Sequence, residues 1–169
     1  MRLASFETIA KALESADVRY LVAGGLAVNA HGILRFTKDL DLVVELVPDN
    51  IVRAFAALET LGYRPSVPIT AAQFSQKTNR DGWVKDKGMQ VLQFWSDVHR
   101  ETPIDMFVHA PFSFDEEYRR ALIKPLHAAI PVRFVSLRTL IEMKQQAGRP
   151  QDLADVEQLR IRLDEDHDA

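Results

Sequence analysis

Residues 24–44 read GGLAVNAHGILRFTKDLDLVV. Two glycines open the stretch, and two aspartates, Asp39 and Asp41, stand one residue apart where an apolar run begins. A carboxylate drawn out of water is costly unless something pairs it. Strand alternation puts Asp39 and Asp41 on one face, about 6–7 Å apart by Cα, and sends Leu40, Leu42 and Val44 to the other. Hard divalent cations such as Mg²⁺ take oxygen ligands of this kind and complete the shell with phosphate and water. The segment PIDMF (103–107) supplies a third acid, because Ile104, Met106 and Val108 share one strand face and Asp105 lies on the other. Three acids on neighbouring strands suit two metals and an in-line displacement at phosphorus. The plainer alternative is a turn-ending Asp39 and an Asp41 on an exposed strand face, since a lone D-x-D is common.

Upstream, VRYLVA (18–23) has the pattern of a buried strand and runs straight into Gly24-Gly25 and a short helical stretch, LAVNAHG (26–32). A strand, a glycine pair and a helix make a place for phosphate, because glycine permits close backbone approach and a helix N-terminus offers unpaired N–H groups. An ordinary tight turn explains the same two glycines. The spacing is neither G-x-G-x-x-G nor G-x-x-x-x-G-K-[ST], so dinucleotide-fold and P-loop readings fail.

Further out, Phe6, Ile9, Ala10 and Leu13 have helical spacing, with Ser5 as a candidate cap. Pro48 ends the strand DLDLVVEL (39–46). Asp49 or Asn50 then caps a helix whose apolar face is Ile51, Phe55 and Leu58, and Gly62 stops it. RPSVPIT (64–70) has the composition of an extended loop, and residues 71–88 that of broken helix. MQVLQFW and TPIDMFVH are expected as neighbouring strands, FDEEYRRA as a short helix and IPVRFVS as a last strand. Two helices close the chain: Leu137 to Ala147, capped by Ser136 and ended by Gly148, and Pro150 to about Leu163. The order implies an α+β (α/β) fold, one mixed β-sheet flanked by helices with two helices at the C-terminus. It forms a single domain over residues 1–163 and leaves a frayed acidic tail at 164–169.

The 169 residues are 47% hydrophobic and 27% charged, a balance suited to a globular core. The absence of cysteine excludes disulfides, thiolate metal sites and cysteine nucleophiles. The net charge of −3 argues against a broad nucleic-acid-binding surface. The N-terminus lacks a signal-peptide core and no stretch is long enough to span a bilayer, so the expected location is cytoplasmic, with no membrane partner.

Taken together, GG (24–25), RFTKDLDL (35–42), Asp105 in PIDMF and LIEMKQQAGRPQDLADVEQL (140–159) resemble the nucleotidyltransferase superfamily of the DNA polymerase β type. More narrowly, they look like the AbiEii-type bacterial nucleotidyl transferases. The resemblance covers most of the chain apart from residues 63–88. It implies transfer of a nucleoside monophosphate from an NTP donor to a hydroxyl of a protein, tRNA or small-molecule acceptor. The implied cofactor is Mg²⁺ in a two-metal site, with Mn²⁺ as a substitute. It also implies that Asp39 and Asp41 bridge both metals and that Asp105 ligates the catalytic one and helps deprotonate the acceptor. An AbiEii-like protein would act as a toxin with an antitoxin protein as partner. Many members of the superfamily carry serine in the turn where this chain has Gly25; the AbiEii-like branch often does not.

The closing helices add two candidates. Leu137, Leu140 and Ile141 form an apolar stripe whose next position is Lys144. An inward ammonium would meet a triphosphate; the alternative is a lysine whose stem packs while its head reaches water. The resemblance places a phosphate-contacting, catalytic lysine here. Asp152 shares a face with Val156, Leu159 and Leu163, and the resemblance puts it in the nucleotide site. A first-turn acid favoured by the helix dipole, or paired with Arg149, accounts for it equally. Arg35 and Thr37 either order the loop before the acids or touch the nucleotide. Arg80 could reach a base or phosphate, but the plainer expectation is a surface arginine; the five histidines are expected as surface or packing residues. A non-catalytic module of the same fold that binds nucleotide or a partner protein is the main alternative. A D-x-D glycosyltransferase leaves the glycine turn and third acid unexplained. A phosphatase with a D-x-D nucleophile needs a glycine turn where Leu42-Val43 stand.

Overall fold

The computed structural model describes residues 1–127 and 130–167. In chain order the elements are α1 (Leu3–Ser15), β1 (Tyr20–Val22), α2 (Gly24–Ala30), β2 (Leu40–Val44), α3 (Pro48–Thr60), β3 (Tyr63–Pro65), α4 (Ala71–Ser75), α5 (Lys77–Lys87), β4 (Val91–Ser96), β5 (Ile104–Phe107), α6 (Phe114–Arg120), β6 (Leu122–Pro125), β7 (Pro131–Phe134), α7 (Leu137–Ala147) and α8 (Pro150–His167). The strands form one mixed sheet in the order β3-β4-β5-β2-β1-β7-β6. The pairs β2/β5 and β1/β7 are parallel, and the other four are antiparallel. The fold is therefore α+β with a mixed sheet, as the element order implied.

Alternation explains which face went inward. Leu40, Leu42, Ile104, Met106, Leu92 and Phe94 are all essentially without solvent contact. They point to the side where α3 packs, its Phe55 ring edge-on to Phe94 at 5.1 Å. The opposite face carries Asp41, Asp105 and Gln93 in a row across β2, β5 and β4. Helix α2 lies on this face, and α7 packs on α2. The helices therefore leave a gap over the acids.

Several local expectations need correction. Ser5 lies inside α1, buried, with His99 Nδ1 3.0 Å from its hydroxyl; the N-cap is Arg2. Helix α3 begins at Pro48 after Val47, so neither Asp49 nor Asn50 caps it. Asn50 is instead fully buried. Its Nδ2 donates to the carbonyls of Arg19 and Glu45, and its Oδ1 accepts from the Arg19 N–H, pinning the start of β1 to the end of β2. The extended loop contains a strand, β3, and a further strand, β6, precedes β7. Helix α8 continues past Leu163 through the expected tail to His167; residues 168–169 lie outside the described residues.

Ser136 does occupy the N-cap of α7, but its side chain makes no cap. Glu117 of α6 does so from outside: fully buried, it accepts from the Ser136 N–H, the Thr139 hydroxyl and Arg120 Nε. An acid at a helix N-terminus is favoured by the dipole, here reinforced by three donors. Burial pushes the Glu117 carboxyl up, but the bonds from Thr139, Ser136 and Arg120 together outweigh it and hold it below the usual carboxylate range. The folded state therefore binds this proton less readily than the unfolded chain. The resulting stabilisation is complete above the unfolded pKa and is lost as pH falls through the folded one. Glu117→Gln should lower the unfolding free energy by about 1–3 kcal/mol at pH 7. In urea melts the gap from wild type should narrow at pH 3–4; a gap that does not change with pH contradicts the assignment.

Candidate active site

The gap on the acid face is a cavity of ≈ 670 Å³. Gly24, Gly25, Arg35, Thr37, Asp39, Asp41, Asp105, Lys144 and Asp152 all line it. These come from five places: the β1–α2 turn, the loop before β2, β2 itself, β5 and the α7–α8 hairpin. The structure thus brings together every residue that the sequence suggested for the site.

Asp41 and Asp105 are direct register partners on parallel strands, about 4.8 Å apart in the ladder. Gln93 is the next partner across β4, and its Nε2 donates to Asp105 Oδ1 at 3.3 Å. Asp39 stands just before β2 on the same side. Burial pushes the Asp41 carboxyl up to about 6, and the charges of Asp105 and then Asp39 add to this; Lys144 and Arg149 pull the other way. Asp105 is raised too, first by burial, with the Gln93 hydrogen bond opposing and Asp39 contributing. Negative charge gathered here is under-compensated, which is the condition a bound cation relieves. Among the described residues, however, no group of three His, Asp or Glu side chains is closed around a point that would hold a metal ion. An open carboxylate set fits Mg²⁺, which keeps several waters and takes one or two carboxylates plus substrate phosphates.

The glycines serve this acid wall directly. Gly24 has φ +62°, and a Cβ there would lie 1.8 Å from Asp41 Oδ2. Its missing side chain is the space the carboxylate occupies. A Cβ on Gly25 would lie 2.7 Å from Thr37 Cβ and 2.8 Å from its hydroxyl. Thr37 in turn donates to the Asp39 carbonyl at 3.1 Å. Arg35 is ordered just as closely: its N–H donates to Asn29 Oδ1, Asn29 Nδ2 donates to its carbonyl, and its Nη1 donates to the Phe36 carbonyl. Both residues therefore order the loop that delivers the acids.

Across the cavity stands a cationic wall. Lys144 is 6% exposed and does not reach bulk water as a snorkelling lysine would. Its Nζ lies 3.2 Å from Asp152 Oδ1 and 2.7 Å from Asp155 Oδ2. Arg149 Nε donates to Asp152 Oδ2 at 2.6 Å. Burial raises the Asp152 carboxyl, but the bonds and charges of Arg149 and Lys144 outweigh it and bring it below the ordinary range. Asp155 and Gln93 were missed in the sequence. Asp155 follows Asp152 by one turn on the buried face of α8, and Gln93 follows from the alternation of β4, so both signals were present. Arg80 lies away from the cavity and is buried, contrary to expectation; its Nη1 donates to the Phe74 carbonyl and joins α5 to α4.

No protein-family model and no curated protein matches the chain. Solved structures do, among them two of ANT(2″)-Ia. A crystal structure of ANT(2″)-Ia in complex with adenylyl-2″-tobramycin superposes with a TM-score of 0.59 at 16% identity, over 95% of this chain and 88% of that one. A solution structure of the antibiotic-resistance factor ANT(2″)-Ia gives a TM-score of 0.54 at 17% identity, over 93% and 80%. The fold is that of a nucleotidyltransferase. In this fold the acids of β2 and β5 and the basic residues of the α7–α8 hairpin line one cavity. No helix among the described residues is long and apolar enough to cross a membrane.

If Gly24 exists to admit Asp41, then Gly24→Ala should cost more than a positive φ alone. Gly32 has φ +90° and open space around its missing side chain, so Gly32→Ala measures the conformational cost by itself, about 1–2 kcal/mol. Gly24→Ala should exceed it by a further 1–3 kcal/mol or so in urea melts. Equal costs would mean that the carboxylate moves aside freely.

Proposed function

We propose that this protein is a Mg²⁺-dependent nucleotidyltransferase that moves a nucleoside monophosphate from an NTP to an acceptor hydroxyl. The observation that carries this reading is the pairing of Asp41 with Asp105 on adjacent parallel strands, facing Lys144 and Arg149 across one cavity. Asp39, Asp41 and Asp105 would hold Mg²⁺ (or Mn²⁺), which when bound neutralises charge on the triphosphate and polarises the α-phosphorus. Asp105 accepts the proton of the acceptor hydroxyl, whose oxygen forms the new bond to the α-phosphorus. The bond from that phosphorus to the bridging oxygen breaks, and pyrophosphate leaves with the electron pair. Lys144 and Arg149, both on the cavity wall, would hold the phosphates, with Asp152 fixing both cations. The turn of Gly24 and Gly25 keeps Asp41 and the Thr37 loop in place, and Arg35 supports the same loop.

The acceptor is a protein, a tRNA or a small hydroxylated molecule. The adenylyl-2″-tobramycin bound to ANT(2″)-Ia makes a small-molecule acceptor the first to test. A toxin role in a bacterial cytoplasm, with an antitoxin as partner, rests on the sequence resemblance to AbiEii-type enzymes. A second reading is supported by the open arrangement of the three acids: a module of the same fold that binds nucleotide without transferring it.

Each α-labelled NTP should be incubated with the protein and Mg²⁺, once with tobramycin and once with cell extract. Label from one NTP is expected to move to an acceptor, and to stay on the nucleotide with EDTA or in Asp41→Asn. Thermal stabilisation by an NTP that needs no Mg²⁺, without transfer, would establish the binding module instead. No stabilisation and no transfer with any NTP overturns the reading.

A further inference from the structure

Asp155 is 6% exposed and is not among the residues that line the cavity. Yet its Oδ2 alone meets two cations that do line it: Lys144 Nζ at 2.7 Å and Arg35 Nε at 3.2 Å. These cations belong to distant parts of the chain, Lys144 to α7 and Arg35 to the loop between α2 and β2. Arg35 passes the constraint on, because its Nη1 donates to the carbonyl of Phe36 at 2.8 Å, three residues before Asp39. Asp152 cannot substitute, since its two oxygens are engaged with Lys144 and Arg149. A buried carboxylate stripped of either cation would be left partly uncompensated, so the three groups hold one another in place.

We infer that Asp155 is a positioning residue that fixes Lys144 at the cavity wall and couples the C-terminal helix to the loop delivering the catalytic acids. This rests on the proposed nucleotidyl-transfer reading for its purpose, though not for its geometry. Asp155 touches no substrate. It sets where the Lys144 ammonium stands, and it keeps the 35–38 segment in the shape that presents Asp39. Lysine with its four-carbon stem has many rotamers, and a second carboxylate reduces them to one before phosphate arrives.

The test compares wild type with Asp155→Asn, Asp155→Glu and the buried-charge control Arg80→Met, which lies away from the cavity. Two quantities are read: affinity for tripolyphosphate with Mg²⁺, the part common to every NTP, and hydrogen exchange of the amides of residues 36–38. Asp155→Asn is expected to weaken tripolyphosphate binding about tenfold and to speed exchange at 36–38. Asp155→Glu should fall between it and wild type. Arg80→Met should lower the melting temperature and leave both readouts at wild-type values. Should Asp155→Asn not fold, Asp155→Glu carries the same two readouts. A folded Asp155 variant with wild-type affinity and exchange overturns the inference. Wild-type protein that binds no tripolyphosphate overturns the donor-site reading instead, and the exchange comparison then decides on the tie alone.

Discussion

The site depends on the approach of the Asp41 carboxylate to the Cα of Gly24, so close that a Cβ on residue 24 would overlap Asp41 Oδ2. That contact joins the end of β1 to the middle of β2 on the acid side of the sheet, next to the backbone bond from Ala23 N–H to the Asp41 carbonyl. It fixes where α2 can begin, and α2 in turn is what α7 packs on. The placement of Lys144 therefore follows, through two helices, from a space that only glycine leaves open. Thr37 repeats the device one residue on, filling the space left by Gly25 and holding the Asp39 carbonyl.

Electrostatics makes the same cavity costly to the folded chain. On one side three carboxylates crowd together, and Asp41 is raised by burial and by its two neighbours. On the other, Lys144, Arg149 and Arg35 are matched against Asp152 and Asp155 in a compact ion network. One wall thus lacks countercharge, while the other sets three cations against two acids. Under the proposed reading, a phosphate-bearing ligand accompanied by a divalent cation would meet both walls together. Stability given up at a preorganised polar site is a recurrent feature of functional sites.

Much of this was legible in the sequence because it follows from periodicity. Alternation put Asp39, Asp41 and Asp105 on one face, and the helical stripe from Leu137 turned Lys144 inward. The two overlooked strands, β3 and β6, are the sheet's edges. They are three and four residues long and each ends in proline, so neither alternates for long enough to register. The caps failed for a different reason. Asn50 and Glu117 satisfy backbone groups contributed by distant segments, and Ser136 yields its capping role to a carboxylate from another helix. No local pattern carries such pairings. Asp155 was hidden by a sufficient explanation nearby: once the helix dipole accounted for Asp152, nothing in the pattern demanded a second inward acid one turn later.

If the acid cluster around Asp41 receives a metal ion, the titration of Asp41 must respond to that ion. This is tested most directly by following the ¹³C carboxyl resonance of Asp41 against pH, without and with Mg²⁺. The midpoint is expected at about 6 in the metal-free protein and well below that when Mg²⁺ is added, because the cation favours the ionised form. A midpoint near the ordinary aspartate value of about 3.9, unmoved by Mg²⁺, would contradict the metal-site reading.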